Sequence, residues 1–268
     1  MSKSILILDT SYLAYRNFYA MGNLSFEDVP TGVAYGVLRD IQELTDRFAP
    51  TVFAFCFDVG KPIRCNLYPE YKQKRRQEET PEQQEARRLV RQQITTLREE
   101  TLPALGYQNL AHQVGYEADD LIASICNCYP RVEKIIVGCD GDLFQLLGQH
   151  TSIWNPAKKK IISQQSFERE WGIDPKLWSM VKAIAGCTSD NIQGVAGVGE
   201  KTAVKFLRGD LTKGKVFERI VTSRVDWEQN IRLVRLPLKG TKTVRLRKDE
   251  TNPRKWRSVK RKLGINSI

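Results

Sequence analysis

The chain has 268 residues, 41% of them hydrophobic, enough for one sizeable α/β core and a smaller appended unit. Lys and Arg number 42 against 31 Asp and Glu, a formal charge of +11; such an excess favours a polyanionic partner, because neutralising phosphates releases condensed counterions. No apolar stretch approaches the roughly 18 residues of a membrane span, and no signal peptide precedes the first apolar run. Six cysteines without a CxxC pair point to a reducing, cytoplasmic setting rather than a disulfide framework.

Three short apolar runs each stop on an aspartate. The first is Ile5-Leu6-Ile7-Leu8, ending on Asp9. A helical pattern follows from about Gly32 to Phe48, with Val33, Val37, Ile41 and Leu44 at helical spacing. The second run, Val52 to Phe57, ends on Asp58. Strand, helix, strand implies a right-handed crossover and an open, mainly parallel sheet covered on both faces. Residues 61–106 are different: Tyr71 and Lys72 lead into Lys74-Arg75-Arg76, and a helix then begins with Thr80 as cap, Pro81 in its first turn and Gln83 closing a capping box. Its stripe of Ala86, Leu89, Val90, Ile94 and Leu97 is narrow, and Arg87, Arg88, Arg91 and Arg98 make the other faces cationic. Placed just after Asp58, this is expected to be a basic element overhanging the sheet edge.

The densest acidic signal is Glu117-Ala118-Asp119-Asp120, at the start of a helix carrying Leu121, Ile122 and Ile125. The third run, Ile135 to Cys139, ends on Asp140, and Asp142 follows it into an expected helix at Leu143 to Leu147. Acidic residues suit a first helical turn, so one or two of these need no functional explanation. Eight carboxylates converging on the carboxyl edge of a sheet, counting Asp190, would repel one another unless divalent magnesium or manganese sat among them. From about Phe167 the pattern is mainly helical. It is interrupted by Gly194-Val195-Ala196-Gly197-Val198-Gly199, then Lys201-Thr202. The spacing is not that of a P-loop, and it fits a sequence-independent clamp on a nucleic-acid backbone. Lys239 to Lys262 is strongly basic, while Trp227, Leu233, Leu236 and Trp256 are expected to pack back on the core.

Together these segments resemble the 5′-nuclease family, which includes flap endonucleases, phage 5′ nucleases and the N-terminal nuclease domain of bacterial DNA polymerase I. The matching segments are LILDTSYLAYR, Tyr71-Lys72-x-x-Arg75, YEADDLIAS, VGCDGDLFQLL and SDNIQGVAGVGEKTA, in family order over about residues 4–207. The resemblance implies a PIN-like α/β core over 1–166 with a basic arch or gateway at about 64–105. It implies a helical region over 167–268, with a helix–three-turn–helix at about 181–208 and a basic tail. Two divalent-metal sites are implied: Asp9, Asp58, Glu117 and Asp119 in the first, Asp140 between, Asp142 and Asp190 in the second, with Asp120 in the same cluster. Lys72 and Arg75 match cations that engage the scissile phosphate. Tyr71, Arg76, Gly197, Val198, Gly199, Lys201 and Thr202 fall among the DNA-binding positions, with a potassium ion at the glycine loop.

The implied activity is magnesium- or manganese-dependent 5′–3′ exonuclease and 5′-flap endonuclease action in replication or repair. The implied substrates are flaps, nicks, gaps, 5′ ends and RNA primers on DNA, cut by a monomer. One departure stands out. Cys187 replaces an aspartate common in the family, and a thiol is a poor magnesium ligand. Retained activity is the expectation, with Asp142, Asp190 and waters completing the shell of the second metal ion. The alternatives are a DNA-structure-binding protein with weak or lost catalysis, or a PIN-type ribonuclease lacking a need for the glycine clamp.

Overall fold

The computed structural model describes residues 4–21, 24–74 and 79–265. A six-stranded sheet forms its centre. Strands β1 (Ser4–Asp9), β2 (Val52–Phe57), β3 (Leu110–His112), β4 (Glu133–Val137), β5 (Thr151–Asn155) and β6 (Lys160–Ile162) are ordered 3-2-1-4-5-6. All pairs are parallel except the antiparallel β5–β6 edge. The mainly parallel sheet flanked by helices is the expected PIN-like architecture. β3, β5 and β6 were not anticipated.

Side chains alternate across the sheet, as the period of two requires. Ile5, Ile7, Ala54, Cys56 and Ile136 face one layer, which contains Leu121, Ile122, Phe167, Trp178 and Trp227. Leu6, Leu8, Phe53, Phe55, Phe57 and Val137 face the other, which contains Leu13, Val37, Ile41, Val90, Ile94 and Leu97. Both faces are therefore covered, which explains why the central strands are apolar throughout rather than alternating. Fully burying a side chain such as Phe55 or Phe57 contributes on the order of 2–3 kcal/mol.

Helix α1 (Thr10–Met21) leaves directly from β1, and α2 (Gly32–Phe48) returns to the start of β2. Both bounds of α2 match the apolar spacing in the sequence. Helix α3 (Pro81–Thr96) has the expected capping box: Gln83 N–H donates to Thr80 Oγ1 and Thr80 N–H to Gln83 Oε1. It continues through a π-turn at Leu97–Thr101 into Leu102–Leu105, with Val90, Ile94 and Leu97 against the core.

Helix α4 (Ala118–Cys128) precedes β4; α5 (Gln164–Trp171), α6 (Trp178–Ala185), α7 (Glu200–Arg208), α8 (Lys215–Thr222) and α9 (Arg224–Val234) follow β6. Trp227 and Leu233 are buried and Leu236 and Trp256 half-buried, as expected of them. Beyond α9 the chain straps back across the core. Leu238 N–H donates to Asp120 Oδ1 at 2.8 Å, Arg247 N–H to Asn109 Oδ1 at 2.7 Å, and Phe53 N–H to Asp249 Oδ2 at 2.9 Å. Helix α10 (Pro253–Lys262), capped by Asn252, ends the description with Val259 and Ile265 buried. No helix among the described residues is long and apolar enough to cross a membrane.

Candidate active site

Parallel register brings the acidic residues together. Leu8 pairs with both Phe55 and Val137, so three adjacent strands end at nearly one level. Asp9 is the last residue of β1 and Asp58 the first after β2. β4 stops at Val137, three residues before Asp140, so Asp140 stands on the connection leaving the sheet rather than at the strand end itself. The expected helix after it is a 3-10 turn, Gly141–Leu146, capped by Asp140, whose Oδ1 accepts from Asp142 N–H at 2.8 Å. The turn is tighter because the aspartate carboxylate satisfies the first free N–H locally.

Helix α4 delivers the remaining carboxylates. Asp58 Oδ1 accepts from Ala118 N–H at 2.7 Å, so the residue that follows β2 caps the helix that carries Asp119. Asp9 is buried and accepts from Tyr12 N–H at 2.9 Å. Withdrawal from water, then the charges of Asp58 and Asp140, push its carboxyl up to about 8. Asp119 is raised well above the usual carboxylate range by burial and by Asp140, Asp9 and Asp58. Asp58 is also raised, by withdrawal from water and then by Glu117, although its outer surface remains exposed and solvent moderates the effect. These are the signatures of like charges sharing a low-dielectric space.

Beside this group lies a neutralised one. Lys72 Nζ forms a short ion pair with Glu117 and stands 3.7 Å from Asp190 Oδ1. Its backbone is in the left-handed region, φ 53°, and its N–H donates to Asp190 O at 2.9 Å. Such a conformation is costly for a side-chain-bearing residue, and here surrounding bonds impose it. Burial opposes ionisation of Glu117, but Lys72 and Arg64 together hold its carboxyl below the ordinary value.

Two residues stand in other surroundings than expected. Asp120 is fully buried. It takes a bidentate pair from Arg64 at 2.6 and 2.8 Å, plus N–H donations from Leu238 and Glu117. These bonds engage both of its carboxylate oxygens. Tyr71, expected at the DNA surface, is 3% exposed, and its hydroxyl donates to Glu117 Oε2 at 2.9 Å. Arg64, which sequence reasoning missed, is buried and also donates to Leu233 O at 2.8 Å. A lone arginine opening the four-residue helix Arg64–Leu67 gave no sequence signal beyond its charge. Arg75 and Arg76 lie outside the described residues.

On the far side, Asp142 Oδ1 accepts no hydrogen bond of good geometry, but Lys182 Nζ of α6 is 3.2 Å away. Burial, followed by Asp140, raises Asp142 to about 6. Cys187 Sγ is 3.1 Å from Ser189 Oγ. The loop beyond is built by close backbone approach: a Cβ on Gly186 would lie 2.3 Å from Gly194 N, and one on Gly194 would lie 2.2 Å from Ala185 C. Gly197 (φ 73°) and Gly199 are exposed, with open space over Gly199, while the Val198 side chain is buried. Gly199 caps α7, on which Lys201 is exposed and Thr202 half-buried. Lys74, Asn191 and the glycine backbone line a groove of about 530 Å³ there.

Among the described residues no three Asp, Glu, His or Cys side chains stand at the spacing of a ready-made metal cage. Asp9, Asp58, Asp119 and Asp140 nevertheless fit a hard divalent ion. They are all oxygen donors, burial and neighbouring charge raise Asp9, Asp58 and Asp119, and none of the four forms an ion pair within the described residues. The second group fits less well, since an ammonium and a thiol share its space.

The family model for the 5′-3′ exonuclease N-terminal resolvase-like domain matches residues 4–172. A 5′-3′ exonuclease of Bacillus subtilis is 32% identical over 82% of this chain and 74% of its own length. DNA polymerase I of Bacillus caldotenax is 34% identical over 78% of this chain and 24% of its own. Among solved structures, T5 5′-exonuclease with bound zinc superposes with a TM-score of 0.75 at 23% identity, covering 88% of this chain and 90% of that one.

Proposed function

Because this chain belongs to the 5′-3′ exonuclease family, a family of structure-specific 5′ nucleases, we propose that it hydrolyses a phosphodiester next to a 5′ end or a single-strand/duplex junction. The products are a 5′-phosphate and a 3′-hydroxyl. Its substrates are 5′ flaps, nicks, gaps and RNA primers on DNA, met in the cytoplasm as a monomer. The observation that carries this reading is the convergence of Asp9, Asp58, Asp119 and Asp140 on one sheet edge without ion-pair partners among the described residues, in a protein of net charge +11.

Those four carboxylates would hold magnesium or manganese, which would supply a water of lowered pKa and a Lewis acid for the phosphoryl oxygens. Lys72, poised by Glu117 and Asp190, swings its ammonium to the scissile phosphate and stabilises the charge developing there. Arg75 acts with it, and Arg76 meets the adjoining backbone. Glu117 orients Lys72. Gly197, Val198 and Gly199 offer backbone to a duplex phosphate, with Lys201, Thr202 and a potassium ion completing the grip. The region 1–166 thus works as the nuclease core with its basic gateway at 64–105, and 167–268 as the duplex-holding part.

The test is cleavage of a 5′-flap duplex in magnesium and then in manganese. Product carrying a 5′-phosphate is expected in both. Rates equal to buffer in both ions, with tight flap binding, would replace the enzyme by a DNA-structure-binding protein. Equal cutting of free single-stranded RNA would favour the ribonuclease alternative.

A further inference from the structure

The carboxylates on the α6 side of the site have cations of their own. Lys182 Nζ is 3.2 Å from Asp142 Oδ1 and 3.2 Å from Glu200 Oε1. The Lys182 and Asp142 side chains are 12% and 15% exposed, so solvent screens their pairing only weakly. Asp190 faces Lys72 at 3.7 Å and gives its backbone carbonyl to Lys72 N–H. Position 187, which lies on the short strand directly after α6, carries a thiol that hydrogen-bonds Ser189. A hard divalent ion entering here would meet an ammonium already seated on its best carboxylate, and a sulfur in place of an oxygen. The strand-end group has neither obstacle.

We propose that the Lys182 ammonium takes the place of a second divalent cation, so that the protein works with one divalent ion at Asp9, Asp58, Asp119 and Asp140 and one built-in side-chain charge at Asp142. The inference rests on the nuclease reading above. Lysine is protonated at neutral pH and needs no loading. Its four-carbon stem springs from α6, which Trp178, Val181 and Ile184 lock into the core. Glu200 at the start of α7 holds the ammonium from the other side, so the charge is fixed relative to the glycine loop that grips the duplex. A compact ammonium at this point stabilises negative charge on a phosphate without supplying a bound water. Cys187 belongs to the same arrangement. An aspartate there would add the oxygen ligand and the negative charge that a second ion requires, and the thiol withholds both.

Manganese stoichiometry, counted by electron paramagnetic resonance of the free ion during titration, tests this. The wild-type chain is expected to bind one ion. Cys187→Asp, which keeps Lys182, is also expected to bind one, and the double variant Cys187→Asp with Lys182→Met two. On a 5′-flap duplex, Lys182→Met is expected to lose about a hundredfold in kcat, with KM changed far less. A simple helix-to-helix ion pair would lower thermal stability without changing any ion count. Two ions on the wild-type chain would overturn the proposal and leave the nuclease reading standing. No bound ion and no cleavage would overturn both. A folded double variant that still binds one ion also counts against it, and should that variant fail to fold, the wild-type count decides alone.

Discussion

The two halves of the acidic edge use one residue type in opposite ways. Asp9, Asp58, Asp119 and Asp140 make no ion pair among the described residues, and three of them are raised in pKa by burial and by one another. Glu117, Asp120, Asp142 and Asp190 each stand against a lysine or arginine. A pair that is already compensated holds elements in place. An uncompensated group stores electrostatic free energy that an arriving cation releases. Acidic residues clustered in sequence therefore do not share a role, and Asp119 and Asp120 show the division between neighbours.

Breaking the uncompensated half should cost most. Asp119→Ala or Asp140→Ala is expected to lower flap cleavage by at least about a thousandfold, several kcal/mol of transition-state stabilisation, while flap binding measured by fluorescence anisotropy stays within a fewfold. An equal loss of binding would merge the two halves. Breaking the compensated half should instead destabilise the fold. Arg64→Met leaves Asp120 buried without its partner and should cost about 3–5 kcal/mol in urea unfolding. Lys72→Ala sits between these extremes, with kcat down about a hundredfold and stability almost unchanged.

The three central strands of the sheet were legible because they are buried on both faces and so read as apolar runs. β3 and β6 were missed since three residues, as in Leu110–His112 and Lys160–Ile162, are too few to set a period. Asp9, Asp58, Glu117, Asp119 and Asp140 came together as expected. Asp120 instead binds Arg64; sequence spacing cannot tell which side of a helix's first turn meets a buried arginine from a distant segment. Lys182 was invisible for a similar reason: a lone lysine on an apolar helix is ordinarily a solvated end, and only the contact with Asp142 gives it meaning.

Acidity sharpens the comparison further. Asp9 keeps its proton to about pH 8 in the folded chain but only to about 4 when unfolded. The folded state thus binds the extra proton between those values. Without divalent ions its contribution to stability is full below about pH 4 and is lost as pH rises toward 8. Melting in a chelator should show Tm falling across that window from this group, and added magnesium should restore it at the alkaline end. At the smallest scale, Thr80→Ala removes the cap of α3 and should cost about 1 kcal/mol, read in the same melts.

Proton release on metal binding reaches the central claim most directly. At pH 7, manganese entering the strand-end group must displace the proton held by Asp9. Calorimetric heats should therefore vary with the ionisation enthalpy of the buffer, and Asp9→Asn should reduce that dependence. Binding with the same heat in every buffer, or a release unchanged in Asp9→Asn, would contradict the account.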